Sequence, residues 1–263
     1  AGDVALAKGT CLTARSIGLA TAVGATRAEV SVPPRVGILS TGDELVTVGQ
    51  KPGPGQIISS NAAFLDAFIT SYGATAVNLG IVNDRPSAVT NAVAARKDLD
   101  LVVTTGGASV GNHDHIAGDL AAGNLDFWKI AMRPGKPLIW GKVGSTPLLG
   151  LPGNPVSTAV CALIFLAPAI GKLSGGSISN SVFSASVTSS LPQNDLRQDY
   201  IRASIVTEND GKTRIRPARR QDSSMMATLA SANAFLPGRH LRCRFGNARN
   251  VTDATIFNGE SLF

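Results

Sequence analysis

The feature that most constrains the fold of this chain is a regular alternation of apolar runs and helical stretches between Pro33 and Gly175. The predicted strands are 36–39, 76–82, 101–104, 137–140 and 147–150, and the predicted helices are 62–72, 87–96, 116–122 and 155–170. Strands that alternate with helices in this way are typical of a mostly parallel sheet with helices on both faces. We therefore expect an α/β domain over residues 33–175.

The sequence changes in character on either side of this region. Residues 1–32 contain one helical stretch, 13–23, between short extended pieces, and we expect a partial N-terminal domain there. After the Ser-Gly-Gly-Ser linker at 174–177, residues 176–263 alternate Ser and Thr with apolar residues, which is typical of a small antiparallel β domain. The expected domains are therefore 1–32, 33–175 and 176–263.

Composition narrows the classes of function. The longest apolar run, 159–170, contains Pro168 and is shorter than the roughly 20 residues of a membrane span, so we expect a cytoplasmic protein with no membrane partner. Three cysteines, none in a Cys-x-x-Cys pair, indicate neither disulfides nor structural zinc. The net charge is +6, but two Trp and two Tyr offer little surface for base stacking, so we expect a small polyanionic ligand and no nucleic acid.

Acidic residues follow three successive predicted strands. Asp43 and Glu44 follow the first strand, Asp84 the second and Asp114 the third. In open α/β sheets, ligands bind beyond the carboxyl ends of the strands. A single acid at such a position is more often a helix cap or a solvated charge, but the recurrence favours a shared site.

The same edge carries two loops suited to anions. Gly106, Gly107 and Gly111 allow the backbone to approach a ligand, and the following helix directs its free N–H groups toward it. Tight packing of strand on helix would explain such a loop equally well. The second loop is Gly-Leu-Pro-Gly-Asn-Pro-Val-Ser, in which Asn154 can cap a helix and Pro155 fits its first position.

Three cations, Lys129, Arg133 and Lys136, lie between these loops in sequence and favour a ligand with several negative charges. A zinc site at His113 and His115 is disfavoured, because residues two apart on a helix face away from each other. Binding of Mg²⁺ by carboxylates together with ligand phosphate oxygens is the better interpretation of the acids.

Six motifs in this order and spacing resemble the molybdopterin molybdenumtransferases, the MoeA-type enzymes related to the gephyrin E domain. They are STGDEL (40–45), GQI (55–57) followed by Asn61, GIVNDRP (80–86), TTGGASVG (104–111), FWKIAMRPGKP (127–137) and GLPGNPVS (150–157). The resemblance covers 33–175 closely and implies a molybdopterin-binding fold followed by the family's C-terminal β domain. It also implies a homodimer that takes adenylylated molybdopterin and molybdate, releases AMP with Mg²⁺ and inserts molybdenum, with a molybdopterin adenylyltransferase as a further partner.

The resemblance also assigns site residues. The implied catalytic residues are Glu44, Asp84, Asp114, Lys129 and Arg133, and the implied metal ligands are Glu44, Asp84, Asp114 and Asp3. The implied pterin-binding residues are Thr41, Gly42, Asp43, Asn61, Gly106, Gly107, Ser109, Gly111, Lys136, Pro152, Gly153, Asn154 and Pro155. Most of the family's N-terminal region has no counterpart in this sequence.

Two functions of different classes remain open from the sequence. The first is the molybdenum-inserting transferase, and the second is a non-catalytic module that binds molybdopterin without cleaving the adenylate. A third, weaker alternative is another nucleotide-binding protein with the same sheet, such as the competence-damage type, because a shared fold does not identify a reaction.

Overall fold

The structure is a computed structural model of the chain, and it describes residues 2–107, 115–120, 125–178, 181–189, 191, 195–238 and 251–256. The helices are α1 (Ala14–Ala22), α2 (Ser60–Ser71), α3 (Ala88–Ala94), α4 (His115–Leu120), α5 (Pro155–Cys161), α6 (Ala167–Leu173) and α7 (Met226–Ala230). A π-helical turn, Ala162–Leu166, joins α5 to α6. The strands are β1 (Arg35–Thr41), β2 (Leu45–Val46), β3 (Ile57–Ile58), β4 (Thr75–Val82), β5 (Leu101–Thr105), β6 (Leu125–Trp128), β7 (Met132–Arg133), β8 (Ile139–Val143), β9 (Thr146–Leu151), β10 (Ser181–Val187), β11 (Gln198–Thr207), β12 (Thr213–Pro217), β13 (Ala234–Gly238) and β14 (Val251–Ile256).

The first sheet has the strand order β4-β1-β5-β9-β8-β6. The first four of these strands are parallel to one another, whereas β8 runs antiparallel to both β9 and β6. The predicted mostly parallel sheet is therefore confirmed. Because β1, β5 and β9 lie side by side and point the same way, their carboxyl ends meet at one edge.

Both faces of this sheet are buried, as the continuous apolar run of β5 requires. Leu101 and Val103 pack in one core cluster with α2 and α5, while Val102 between them packs in a second cluster with α3 and α4. Successive residues of a strand point to opposite faces, so a strand covered on both sides is buried at every position, which here includes Thr104 and Thr105 after the apolar run. The helices thus pack on both faces of the sheet and do not cover the carboxyl ends of its strands.

The helical segment Pro155–Leu173 is one continuous element built from α5, the π-helical turn and α6. It has 19 residues with a mean hydropathy of 1.9, which is long and apolar enough to cross a membrane, but 67% of it is buried inside the fold. Burial of that extent is what a core helix shows, and it explains why this segment is apolar on every side.

The second sheet has the order β12-β10-β14-β13-β11-β7 and is mostly antiparallel. Its core is small and centres on four buried residues, Ala185, Ala203, Ile215 and Leu236. The predicted small β domain after the α/β region is confirmed. The strand β7 comes from between β6 and β8 yet pairs with β11, so the two sheets are joined by backbone hydrogen bonds. The predicted domain boundaries stay predictions.

The N-terminal segment carries the predicted helix, α1, which begins after Thr13. The Thr13 hydroxyl oxygen accepts a hydrogen bond from the Ser16 N–H at 3.3 Å, which is the expected N-cap arrangement. No residue of α1 is buried.

Candidate functional site

Three loops meet where β1, β5 and β9 end. The β1 loop begins with Thr41 and Gly42, the β5 loop with Gly106 and Gly107, and the β9 loop with Pro152 and Gly153. Parallel pairing of β5 with both β1 and β9 places the β5 loop between the other two. The candidate site is therefore built around the glycines that follow β5.

Glycine is required at this point because the three loops touch. Gly106 has a φ of +90°, and a Cβ atom added there would overlap the Thr41 carbonyl oxygen. A Cβ atom at Gly107 would lie 2.6 Å from Thr41 Oγ1, and one at Gly153 would lie 3.3 Å from Gly106 Cα. These glycines therefore allow the three loops to pack on one another, and the predicted approach of their backbone to a ligand stays a prediction.

Asn61, near the start of α2, holds two of these loops together. Its Nδ2 donates to Thr105 Oγ1 and to the Gly153 carbonyl oxygen, each at 2.7 Å. The Thr158 hydroxyl in α5 donates to the Pro152 carbonyl oxygen at 2.6 Å and fixes the same β9 loop from the other side. Asn61 thus lies at the junction of the β5 and β9 loops, and its implied role in pterin binding stays a prediction.

A cavity of about 120 Å³ opens between these elements. Its polar lining is Thr41, Glu44, Ser59, Ser60, Asn61 and Thr105, and its remaining lining is Leu45, Ile57, Ile58, Gly106, Gly153 and Pro155. The two-stranded pair of β2 and β3 supplies the apolar wall. A cavity of this size with an apolar wall and several convergent polar groups suits a small ligand, or one part of a larger ligand, that carries hydrogen-bonding atoms.

Two buried oxygens at this edge have no hydrogen-bond partner among the residues that the structure describes: Thr41 Oγ1 and Asn154 Oδ1. Asn154 stands at the N-cap of α5, but its side chain makes no capping bond. The expected capping role of its side chain was therefore wrong. Buried polar atoms are nearly always paired in proteins, so both oxygens are suited to accept hydrogen bonds from a ligand.

The N-terminus of α5 is partly covered by the segment between β12 and α7. The Val156 N–H donates to the Ser223 carbonyl oxygen at 3.2 Å, and Pro155 has no N–H. Two positions of the first turn thus offer no amide to a ligand, because one is occupied and the other has none. The loop at Gly153 and Asn154 therefore offers a phosphate fewer backbone N–H groups than the sequence indicated.

The acids after β1 and β4 lie at the same edge. The Asp84 N–H donates to Asp43 Oδ1 at 3.4 Å, and the Glu44 carboxylate lies against Gly42 and lines the cavity. Within the described part of the chain, however, no three acidic, His or Cys side chains are grouped closely enough to hold a metal ion. The described residues alone do not form the expected Mg²⁺ site.

The three expected cations lie in the turn between β6 and β8. Because β6 runs parallel to β9, this turn is at the carboxyl edge too, but none of the three lines the cavity. The Lys129 ammonium lies 3.5 Å from the centre of the Trp128 ring, Arg133 pairs with Asp199, and Lys136 is exposed. The cations therefore lie in a turn at the same edge but do not line the cavity.

Several expected site residues are not brought into these groups. Asp3 is exposed in the N-terminal segment and does not line the cavity. Ser109, Gly111 and Asp114, together with His113, lie outside the described residues. Sequence reasoning did not assign Leu45, Ile57, Ile58, Ser59, Ser60 and Thr105 to the site, and the two-residue strands β2 and β3 give no periodicity that could have indicated them.

Comparison with known proteins agrees with this geometry. The family described as "Probable molybdopterin binding domain" matches residues 37–172, and "MoeA C-terminal region (domain IV)" matches residues 184–237. The structure also superimposes on a molybdopterin biosynthesis MoeA protein from Pyrococcus horikoshii OT3 with a TM-score of 0.75 at 22% identity, covering 97% of this chain and 62% of that one. At this identity, the superposition supports the fold alone.

Curated relatives named molybdopterin molybdenumtransferase are 34% identical in both Haemophilus influenzae and Bacillus subtilis. The alignments cover 89% and 90% of this chain but only 59% and 56% of the relatives, so the chain spans less than two thirds of their length. The resemblance drawn from the motifs is confirmed. With more than half of its residues matched by one family, this chain belongs to the probable molybdopterin binding domain family.

Proposed function

We propose that this chain acts in molybdenum cofactor biosynthesis, where it binds adenylylated molybdopterin and transfers molybdenum from molybdate to the pterin dithiolene with release of AMP. The observation that carries the proposal is the cavity between the β1, β5 and β9 loops, with the unpartnered buried Thr41 Oγ1 in its lining. The family match over residues 37–172 covers all of these loops. The name of the curated relatives, molybdopterin molybdenumtransferase, supports the transfer of molybdenum to molybdopterin.

In this proposal, the pterin lies in the cavity beside the apolar wall of Ile57 and Ile58. A pterin ring carries several N–H donors, and Thr41 Oγ1 and Asn154 Oδ1 are two of the four buried side-chain atoms that lack a partner in the described part of the protein. Ligand donors would replace the hydrogen bonds to water that both oxygens lost on burial, and burial without such replacement is unfavourable. Asn61 would keep the loops at the spacing that the ring requires.

The charged groups would act on the diphosphate of the adenylate. Lys129, Arg133 and Lys136 would neutralise phosphate and attract molybdate, and Glu44, exposed at the cavity mouth, would orient the attacking oxygen of water or of molybdate. Attack by water at the adenylyl phosphorus would break its bond to the bridging oxygen and release AMP and molybdopterin. Attack by molybdate would first give an adenylyl molybdate, which water would then hydrolyse to AMP and molybdate. In either case the two dithiolene thiols would then bind molybdenum, and their protons would leave with one molybdate oxygen as water. The expected dependence on Mg²⁺ stays a prediction, and these roles do not rely on it.

We also propose that the chain works as a homodimer and receives its substrate from a molybdopterin adenylyltransferase. The exposed apolar residues Ile17 and Leu19 on α1, together with Val23 after it, support a partner for this helix, since none of the residues of α1 is buried. Sedimentation of the purified chain over a range of concentrations tests the dimer. A cytoplasmic location stays a prediction.

Incubation of the purified chain with adenylylated molybdopterin and molybdate, with and without Mg²⁺, tests the reaction. The transferase releases AMP and retains molybdenum on the pterin, whereas a non-catalytic module binds the pterin and releases no AMP. Absence of both binding and AMP release would refute the proposed function. Asp114→Asn is expected to abolish turnover while leaving pterin affinity within about tenfold, or about 1.4 kcal/mol.

A further inference from the structure

The short strand β7 ties the cation-bearing turn to the second sheet. Met132 pairs with Gln198 and Arg133 with Asp199 in parallel register, and the Gln198 N–H donates to the Ala131 carbonyl oxygen at 2.8 Å. The backbone of Arg133 is therefore held by β11 and not by the sheet that carries the cavity.

An ion pair continues this link through the side chains. Arg133 Nη2 donates to Asp199 Oδ2, and the two side chains differ in exposure, at 46% for Arg133 and 7% for Asp199. The carboxylate is thus inside the protein while half of the guanidinium side chain faces solvent. Asp199 Oδ1 is buried and has no hydrogen-bond partner in the described ranges.

Because the two side chains differ in exposure, loss of the ion pair has different consequences for Asp199 and for Arg133. A buried carboxylate with one unpaired oxygen is unfavourable unless its cation stays in place. Arg133, by contrast, would remain solvated without Asp199 but would lose its fixed orientation. A guanidinium has five N–H donors in a rigid plane, so a carboxylate behind it leaves donors on the outer side for an anion.

We propose that Asp199 is a positioning residue, which holds the Arg133 guanidinium from behind so that its exposed side faces the anionic part of the substrate. The inference rests on the proposed function, because it takes that substrate to be anionic and bound at this edge. It assigns to the C-terminal β region a part in the site of the α/β region, through Arg133. Asp195 Oδ2, 3.9 Å from Arg133 Nη1, is exposed and also paired with Arg197, so it holds Arg133 less firmly.

The test uses the whole chain and two readouts, binding of adenylylated molybdopterin followed by pterin fluorescence, and AMP release. Asp199→Asn keeps the shape and a hydrogen-bond acceptor but removes the charge. We expect it to weaken pterin adenylate binding or to lower kcat/KM about tenfold. Asp98→Asn is the matched control, since Asp98 pairs with Arg35 and Arg96 at the surface away from the site, and both readouts should remain at the wild-type level.

A second experiment uses the Arg133→Met variant to distinguish a positioning role of Asp199 from a purely structural one. In Arg133→Met, Asp199→Asn should cause no further loss in either readout, because the group that it positions is gone. Arg133→Met alone should lower Tm by stranding a buried carboxylate, and Asp199→Asn in that background should restore it. Additive losses in binding and turnover in the two backgrounds would overturn the proposal.

The two proposals fail in different ways. If the wild-type chain neither binds the pterin adenylate nor releases AMP, the proposed function is refuted and the role of Asp199 falls with it. If the wild type binds and Asp199→Asn matches it in both readouts, only the positioning role is refuted. If the wild type binds the pterin adenylate without turnover, binding is the only readout. Weaker binding by Asp199→Asn then supports the positioning role, and unchanged binding refutes it.

Discussion

Replacement of Asn61 by alanine should loosen the candidate site and lower the stability of the chain. The Asn61 amide donates two hydrogen bonds of 2.7 Å, to Thr105 Oγ1 and to the Gly153 carbonyl oxygen. At about 1 kcal/mol net for each bond, the loss is about 2 kcal/mol. Alanine favours the helix by about 0.5 kcal/mol, which leaves a decrease of about 1.5 kcal/mol in the free energy of unfolding.

Thermal unfolding measures this decrease. A loss of about 1.5 kcal/mol corresponds to a Tm lower by about 3–6 °C for a chain of this size. Asn91→Ala is the matched control, because Asn91 is exposed in the middle of α3 and its replacement gains the same helix preference. The control should have a Tm equal to or slightly above that of the wild type.

Ligand binding provides the second measurement. The loops that Asn61 joins must be ordered again when the ligand enters, so the affinity for molybdopterin should fall about tenfold, or about 1.4 kcal/mol. If Asn61→Ala and Asn91→Ala had Tm values within about 1 °C of each other, the tie between the β5 and β9 loops would contribute nothing and the reasoning would be refuted.

Three further predictions concern the glycine loop, the cavity and the buried thiol. Gly106→Ala should lower Tm more than Gly144→Ala, because both glycines have positive φ but only the Cβ at Gly106 would meet another loop; equal Tm values would contradict this. Thr41→Val should leave stability unchanged or raised, since it removes an unpaired buried hydroxyl, while pterin affinity measured by fluorescence falls; unchanged affinity would remove Thr41 from the site. Burial raises the pKa of Cys161 to about 12, so at pH 8.5 iodoacetamide should label the Cys11 peptide and spare the Cys161 peptide in mass spectra of the native chain. Because the folded state keeps this proton where the unfolded thiol loses it, stability should also fall as the pH rises above about 9 toward 12, and Cys161→Ala should flatten that fall.

The fold could be predicted where the chain buries apolar residues continuously or with helical spacing. The run Leu101–Thr105 has no exposed face because helices cover the sheet on both sides. The helix α2 buries Leu65, Phe68 and Ile69 on one side at helical spacing. The two-residue strand β7 could not be predicted, since two residues carry no period and its partner β11 lies more than sixty residues later.

The site could be predicted in its motifs but not in its contacts. The glycines after β5 and the acids after β1 and β4 follow from the rule that ligands bind beyond the carboxyl ends of parallel strands. That Gly106 packs on Thr41, however, depends on the strand order β4-β1-β5-β9, which no local pattern encodes. Burial of Asp199 is equally non-local, because a charged residue becomes buried only through a partner from another element.

The contact of Gly106 with Thr41 limits how this cavity can be altered by protein engineering. On this side of the cavity, which we call its floor, the Gly106 backbone lies directly against the Thr41 backbone. A side chain at Gly106 would therefore force the adjacent strands apart. The opposite wall, Ile57 and Ile58, belongs to a two-residue strand whose side chains are already largely exposed. A redesign for pterins of different size would therefore begin at that wall and leave the floor untouched.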